Sequence, residues 1–179
     1  MSKRLFVGLE IPESSRVALS DIDPHVRGLR WLPPEQLHLT MSFIGEVDAE
    51  HEERLRETLA TVHVASFFLP IAGVGAFGGE RPSVVWAGVG KGHPHLFALH
   101  QHIQDAVLHA GLEPDLKPFH PHITLGRARG VSRAMLKPFL RRYAETEFDQ
   151  WKVATFTLFS SRLTPDGSIY TAEMQRELR

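Results

Sequence analysis

Two short segments of this chain pair an imidazole with a hydroxyl at the same spacing: His38-Leu39-Thr40-Met41 and His122-Ile123-Thr124-Leu125, which lie 84 residues apart. On a β-strand, residues two apart project to one face, so each His stands beside its Thr while Leu39 and Ile123 turn to the core. An imidazole, with an ordinary pKa of about 6.5, takes or gives a proton near neutrality, and a hydroxyl donates to a phosphate oxygen. Two such strands facing one another meet the needs of phosphodiester cleavage. One His accepts the proton of the attacking oxygen and the other protonates the leaving oxygen, each role contributing about 10² to 10⁴ in rate. Thr40 and Thr124 then hold the non-bridging oxygens, and Arg127 offers positive charge. Ser42 and His120 fall on the same strand faces as the two histidines. Strict alternation sends Arg127 to the opposite face, three residues beyond Thr124, unless Gly126 supports a bulge or the strand ends there.

Chance does not readily produce this pattern. With 11 His and 9 Thr in 179 residues, His-x-Thr is expected roughly half a time. Requiring apolar residues at both remaining positions lowers this to about 0.1, and two copies to under about one chance in a hundred.

The elements around the two copies repeat as well. Leu5 to Glu10 reads as a short buried strand, and Leu19, Ile22, Val26 and Leu29 keep helical spacing after Pro12, with Pro24 as an internal kink. Arg30 to Pro34 is a rigid connection into a strand over Leu37 to Ile44, which Gly45 ends. Alternation there puts His38, Thr40 and Ser42 on one face and Leu39, Met41 and Phe43 on the other. Asp48 caps a helix with Leu55, Leu59 and Val62 inside and Glu50, Glu52, Glu53, Arg54, Arg56 and Glu57 outside. Phe67 to Phe77 and Ser83 to Gly90 form a hairpin about Gly78 to Pro82. A helix follows from His93 to Gly111, then the second His strand from His122 to Ala128, and a helix from Val131 to Tyr143. Trp151 to Leu163 and Ser168 to Glu177 alternate as two strands joined at Thr164-Pro165-Asp166-Gly167. Strand, helix, His strand, helix thus occurs twice, and the His copies are expected to meet across a pseudo-twofold axis at one cleft.

Composition limits the alternatives. At 42% apolar and 23% charged residues the chain is an ordinary globular protein, and a net charge of −1 confines any nucleic-acid contact to a local surface. The absence of cysteine removes disulfides, thiolate metal sites and thiol nucleophiles, and fits a cytoplasmic setting. No apolar run approaches membrane-spanning length, so no membrane partner is expected. Glycines at 73, 75, 78 and 79 precede no helix and do not read as a dinucleotide fingerprint. His95, His102 and His109 recur every seven residues, about 10 Å apart along one helix face, too far to close on one ion. Trp31, Phe43, Trp86 and Phe119 are aromatic candidates for stacking a base or for the core.

Taken together, the two His-x-Thr copies, the lead-in Arg30-Trp31-Leu32-Pro33-Pro34-Glu35-Gln36-Leu37, the exit Phe43-Ile44-Gly45, and Phe119-His120-Pro121-His122-Ile123-Thr124-Leu125-Gly126-Arg127 resemble the two-histidine phosphoesterases. Among these the chain is most similar to the RNA 2',3'-cyclic phosphodiesterases, first named 2'-5' RNA ligases. The resemblance implies an α+β fold over residues 1–179, bilobal, with two antiparallel sheets flanked by helices around a central cleft. It implies hydrolysis of a terminal 2',3'-cyclic phosphate to a 2'-phosphate without metal or cofactor, with weak reversible 2'-5' ligation. His38 would be the general acid on O3' and His122 the general base on water. Thr40 and Thr124 would hold the phosphate, with Arg127, Phe43, Ser42 and His120 lining the substrate site. Ser42 stands where relatives often carry a lysine. The expected partners are RNA 3' ends or nucleotides bearing the cyclic phosphate, and the expected state is a monomer. Two rivals remain open: a metallohydrolase holding zinc on His38, His120 and His122, and an RNA-end binding module without turnover.

Overall fold

The computed structural model describes every residue, Met1–Arg179, as nine strands and four α-helices in the order β1 (Lys3–Glu10), α1 (Glu13–Ser20), β2 (Leu29–Trp31), β3 (His38–Val47), α2 (Ala49–Leu59), β4 (Phe67–Phe77), β5 (Val84–Val89), α3 (Pro94–His109), β6 (His122–Ala128), α4 (Arg133–Arg142), β7 (Glu147–Val153), β8 (Thr155–Thr164) and β9 (Gly167–Glu177). All strand pairs are antiparallel. The strand order is β7-β4-β5-β6-β3-β1-β8-β9, with β2 lying against β6. Two four-stranded halves meet at its centre, where β3 and β6 share the single register pair Leu39 and Ile123. These halves are the two antiparallel sheets of the expected fold, joined along a seam one residue pair long.

The pseudo-twofold is visible in the chain order. β1-α1-β3-α2 and β5-α3-β6-α4 occupy equivalent places about the seam. Leu39 and Ile123 are both fully buried within a core of 32 side chains that draws on α1, α2, α3 and both halves of the sheet. Burying such a side chain contributes about 1.5 to 3 kcal/mol, so the alternate apolar positions of the His strands hold the two His faces in place. A smaller cluster of Val85, Val131, Leu136 and Phe139 seats α4. No helix is long and apolar enough to cross a membrane.

Several local expectations change. The first helix stops at Ser20 rather than running to Leu29; Pro24 cannot continue it, His25 adopts a φ of 54°, and Leu29 instead opens β2. Gly45 does not end β3. It takes a φ of 93° at a bulge where Ile44 has no partner on β1, and the strand continues to Val47. The expected strand Trp151 to Leu163 is two strands, because at Ala154 the chain leaves β4 and joins β1 in the other half. Glu52 is buried rather than solvated, since Lys3 and Arg56 both bond it. Pro138 sits within α4 without ending it, while Asp48 caps α2 as expected by accepting from the His51 amide.

Candidate active site

The two His strands reach the cleft through the same irregularity. Opposite β1, Ser42 pairs with Val7 and Thr40 with Gly8, leaving Met41 unpaired. Opposite β5, Gly126 pairs with Val85 and Thr124 with Trp86, leaving Leu125 unpaired. Each copy of His-x-Thr is therefore followed at once by a β-bulge. The extra residue keeps two successive positions on the buried side, Met41 with Ser42 and Leu125 with Gly126, and returns the next one to the cleft. That next residue is Phe43 in one lobe and Arg127 in the other.

The bulges correct two expectations and meet the condition set for a third. Phe43 does not face the core with Leu39 and Met41; it is 48% exposed, lies 5.8 Å from the Phe6 ring and borders the cleft. Ser42 does not stand beside Thr40. It is 3% exposed, and although it touches the cleft floor its hydroxyl donates to Gln104 Oε1 of α3 at 2.6 Å. Arg127 does not point away from Thr124; it lines the same wall. Gly126 admits this arrangement because β2 crosses it closely. A Cβ there would stand 2.9 Å from the Trp31 ring and 3.1 Å from the Arg30 carbonyl oxygen.

The cleft encloses about 860 Å³ and is bordered by His38, Thr40, His122, Thr124, Arg127 and His120. Both histidines are held by one device. His38 Nδ1 lies 2.8 Å from the Gln36 carbonyl oxygen, and His122 Nδ1 lies 2.6 Å from that of His120, in each case two residues back. A carbonyl only accepts, so each Nδ1 carries a proton and each neutral ring leaves Nε2 as its lone-pair nitrogen. His38 Nε2 meets the Thr40 hydroxyl at 3.0 Å, whereas His122 Nε2 has no protein partner. Edge-on aromatic contacts fix the ring planes: Tyr170 against His38 at 5.0 Å and Phe77 against His122 at 4.9 Å.

Burial lowers both histidine pKa values from the ordinary 6.5. The Arg127 guanidinium pushes each further in the same direction, and the charge of His122 does so for His38. Their own carbonyl hydrogen bonds oppose the shift. Both rings are thus biased toward the neutral form until an anion enters. The wall is built for one, since Arg4, Arg30, Lys117 and Arg127 line it against a single carboxylate, Asp115, in a chain of net charge −1. In-line displacement at phosphorus needs two proton-transfer groups, donors for the non-bridging oxygens and a cation, and this wall carries all three.

The remaining candidates divide. Phe119 borders the cleft, stacked 4.0 Å from His100. Trp31 does not; its ring packs edge-on against Phe139 and its Nε1 donates to the Leu19 carbonyl. Trp86 lies behind Phe77, over Gly75. His38, His120 and His122 do not form a ligand set, and no three His, Asp or Glu side chains converge on a point from which a metal ion is held. Phe6, Arg4, Lys117, His100 and Tyr170 border the cleft without having stood out in the sequence. Phe6 and Tyr170 occupy cleft-facing positions of otherwise ordinary strands, and their only signal is pairing with β3 through β1 and β8.

Residues 12–164 match the 2'-5' RNA ligase superfamily. An RNA 2',3'-cyclic phosphodiesterase of Archaeoglobus fulgidus is 34% identical over 171 residues, covering 93% of this chain and 96% of its own length. A protein of the same description from Escherichia coli is 32% identical over 174 residues, covering 91% and 93%. The crystal structure of E. coli LigT complexed with 3'-AMP matches with a TM-score of 0.82 at 26% identity, covering 99% of both chains.

Proposed function

This chain belongs to the 2'-5' RNA ligase superfamily, and from that premise we propose that it hydrolyses the 2',3'-cyclic phosphate of RNA ends to a 2'-phosphate without a metal ion. The observation that carries this reading is the matched presentation of two imidazoles, each with Nδ1 bonded to the carbonyl two residues before it. His122 Nε2 accepts a proton from water as its oxygen attacks phosphorus. The P–O3' bond breaks as His38 Nε2 delivers a proton to O3', and the phosphate stays on O2'. Proton exchange with solvent then resets both rings. Thr40, Thr124 and Arg127 stabilise the charge gathering on the non-bridging oxygens. Phe43 supports the terminal nucleoside, His120 acts through its carbonyl on His122, and Ser42 braces the cleft floor through Gln104.

A lowered pKa suits His122 as a base and works against His38 as an acid. The bound phosphodiester anion offsets this by raising both, so His38 acquires its proton within the complex. Both motifs come from one chain, which supports residues 1–179 acting as one unit of two packed lobes and as a monomer. With a 5'-hydroxyl in place of water, the same cleft would weakly open the cyclic phosphate to a 2'-5' linkage, His122 taking the hydroxyl proton and His38 protonating the departing O3'. The step is reversible because the cyclic end re-forms when O3' attacks that linkage.

Incubation with cytidine 2',3'-cyclic phosphate in metal-free buffer containing EDTA tests the reading. Accumulation of cytidine 2'-phosphate is expected. Activity that disappears with chelator and returns with zinc would hand the site to the metallohydrolase rival, and tight binding without product to the binding-module rival.

A further inference from the structure

The two helices that follow the His strands hold equivalent places about the pseudo-twofold, yet their charges are opposite. α2 carries Glu50, Glu52, Glu53 and Glu57, and its two arginines are both tied to its own glutamates. α4 carries Arg133, Lys137, Arg141 and Arg142 and no acidic residue, and none of these four makes an ion pair. The asymmetry extends beyond the helix. From Leu116 to Ala144 the chain has seven basic residues and no acidic one, leaving 13 basic and 21 acidic residues elsewhere. A solvated helix face normally mixes signs, as α2 does, so this one-sided stretch calls for an anionic partner.

Its position identifies the partner. Arg127 lines the cleft, Arg129 follows two residues on, and Ser132 caps α4 three residues later. The Arg133 amide bonds the Glu80 carbonyl in the β4–β5 turn, whose flanking residues Phe77 and Val84 border the same cleft. Arg133, Lys137 and Arg141 then recur every four residues, about 6 Å apart along the exposed side of α4. Glu80 of the turn is the acidic residue bordering the shallow hollow between α4 and the turn, and it pairs with none of the three. α4 seats behind the cleft wall, against Val85 and Ala128. Its evenly spaced cations therefore extend the basic surface of Arg127 and Arg129 around the end of the sheet at the β4–β5 turn, a path that fits a chain of phosphates.

We infer that Arg129 and the basic face of α4 hold the phosphate backbone of the RNA body upstream of the cyclic end, so that the strand leaves the cleft over the His122 lobe. An RNA oligonucleotide is thereby held more tightly than a free nucleotide bearing the same cyclic end. This deepens the reading given under Proposed function and rests on it for the chemistry at the RNA terminus.

The test compares the wild type with the triple variant Arg129→Gln/Lys137→Gln/Arg141→Gln, whose three side chains are exposed and make no hydrogen bond in the fold. For a ten-nucleotide RNA ending in a 2',3'-cyclic phosphate, KM at low salt should rise about tenfold, and its slope against log salt should fall by about 2, three phosphates at about 0.7 each. Hydrolysis of cytidine 2',3'-cyclic phosphate should not change. An unchanged oligonucleotide KM and salt slope, or equal losses on both substrates, would overturn the inference. Fluorescence anisotropy with the same RNA ending in a 3'-hydroxyl reads the surface without chemistry and should show the same slope change. If the wild type leaves both cyclic phosphates intact, the proposed reaction fails while anisotropy still decides the surface. Loss of binding to phosphatidylserine vesicles with RNA affinity intact would assign the surface to a membrane instead.

Discussion

Arg127→Met removes a charge and keeps the bulk of the side chain at the position that the Leu125 bulge returns to the cleft. Two consequences follow from its placement beside both histidines. A charge-assisted hydrogen bond to a phosphate oxygen contributes about 1.5 to 3 kcal/mol, so kcat/KM for a 2',3'-cyclic phosphate should fall about 10- to 150-fold. Arg127 also lowers the pKa of both His38 and His122. Without it both limbs of the pH profile should move toward higher pH together, which loss of a binding contact alone would not do. Arg127→Lys keeps the charge without the bidentate fork, so it should lose rate while holding the wild-type pH profile. The assay is kcat/KM between pH 4.5 and 8.5 for the three proteins. An Arg127→Met protein within about twofold of wild type and with unmoved limbs would refute the claim that the bulge brings this guanidinium to the reacting phosphate.

Two further outcomes follow from the same geometry. For the wild type, the low-pH limb of kcat/KM marks protonation of the base and the high-pH limb deprotonation of the acid. Since burial lowers both groups below 6.5, the bell should be centred on the acidic side of that value, with the bell for kcat displaced to higher pH by the bound anion; coincident bells would contradict this. Leu39→Ala, made at the one register pair joining the halves of the sheet, should cost about 2 to 5 kcal/mol in urea unfolding, and a loss under 1 kcal/mol would show that the seam does not hold the halves.

Much of this arrangement is legible in the sequence alone. The His-x-Thr spacing, the repeat of strand, helix, His strand, helix, the Asp48 cap and both hairpins follow from local rules of period, capping and turn chemistry. The bulges are not. Alternation counts residues along one strand, whereas a bulge is a mismatch between two strands, and Met41 and Leu125 are ordinary apolar residues whose unpaired status appears only opposite β1 and β5. For that reason Phe43 and Ser42 exchanged faces, and Arg127 was reachable only through a condition attached to Gly126. The break at Ala154 leaves only a one-residue shift of phase, from Trp151 and Val153 to Phe156 and Leu158, while the change of pairing partner that causes it lies on other strands. Tyr170 and Phe6 reach His38 from distant strands through ring contacts that no spacing records.

The central claim is that two imidazoles, one from each lobe, act on a single phosphate. Its most direct test is the turnover of cytidine 2',3'-cyclic phosphate by His38→Ala, His122→Ala and the double variant, followed by phosphorus NMR in chelated buffer. Each single variant should lose about 10² to 10⁴ in kcat, and the double variant little more, because both groups serve one transition state. Full activity in either single variant, with circular dichroism confirming an intact fold, would contradict the account.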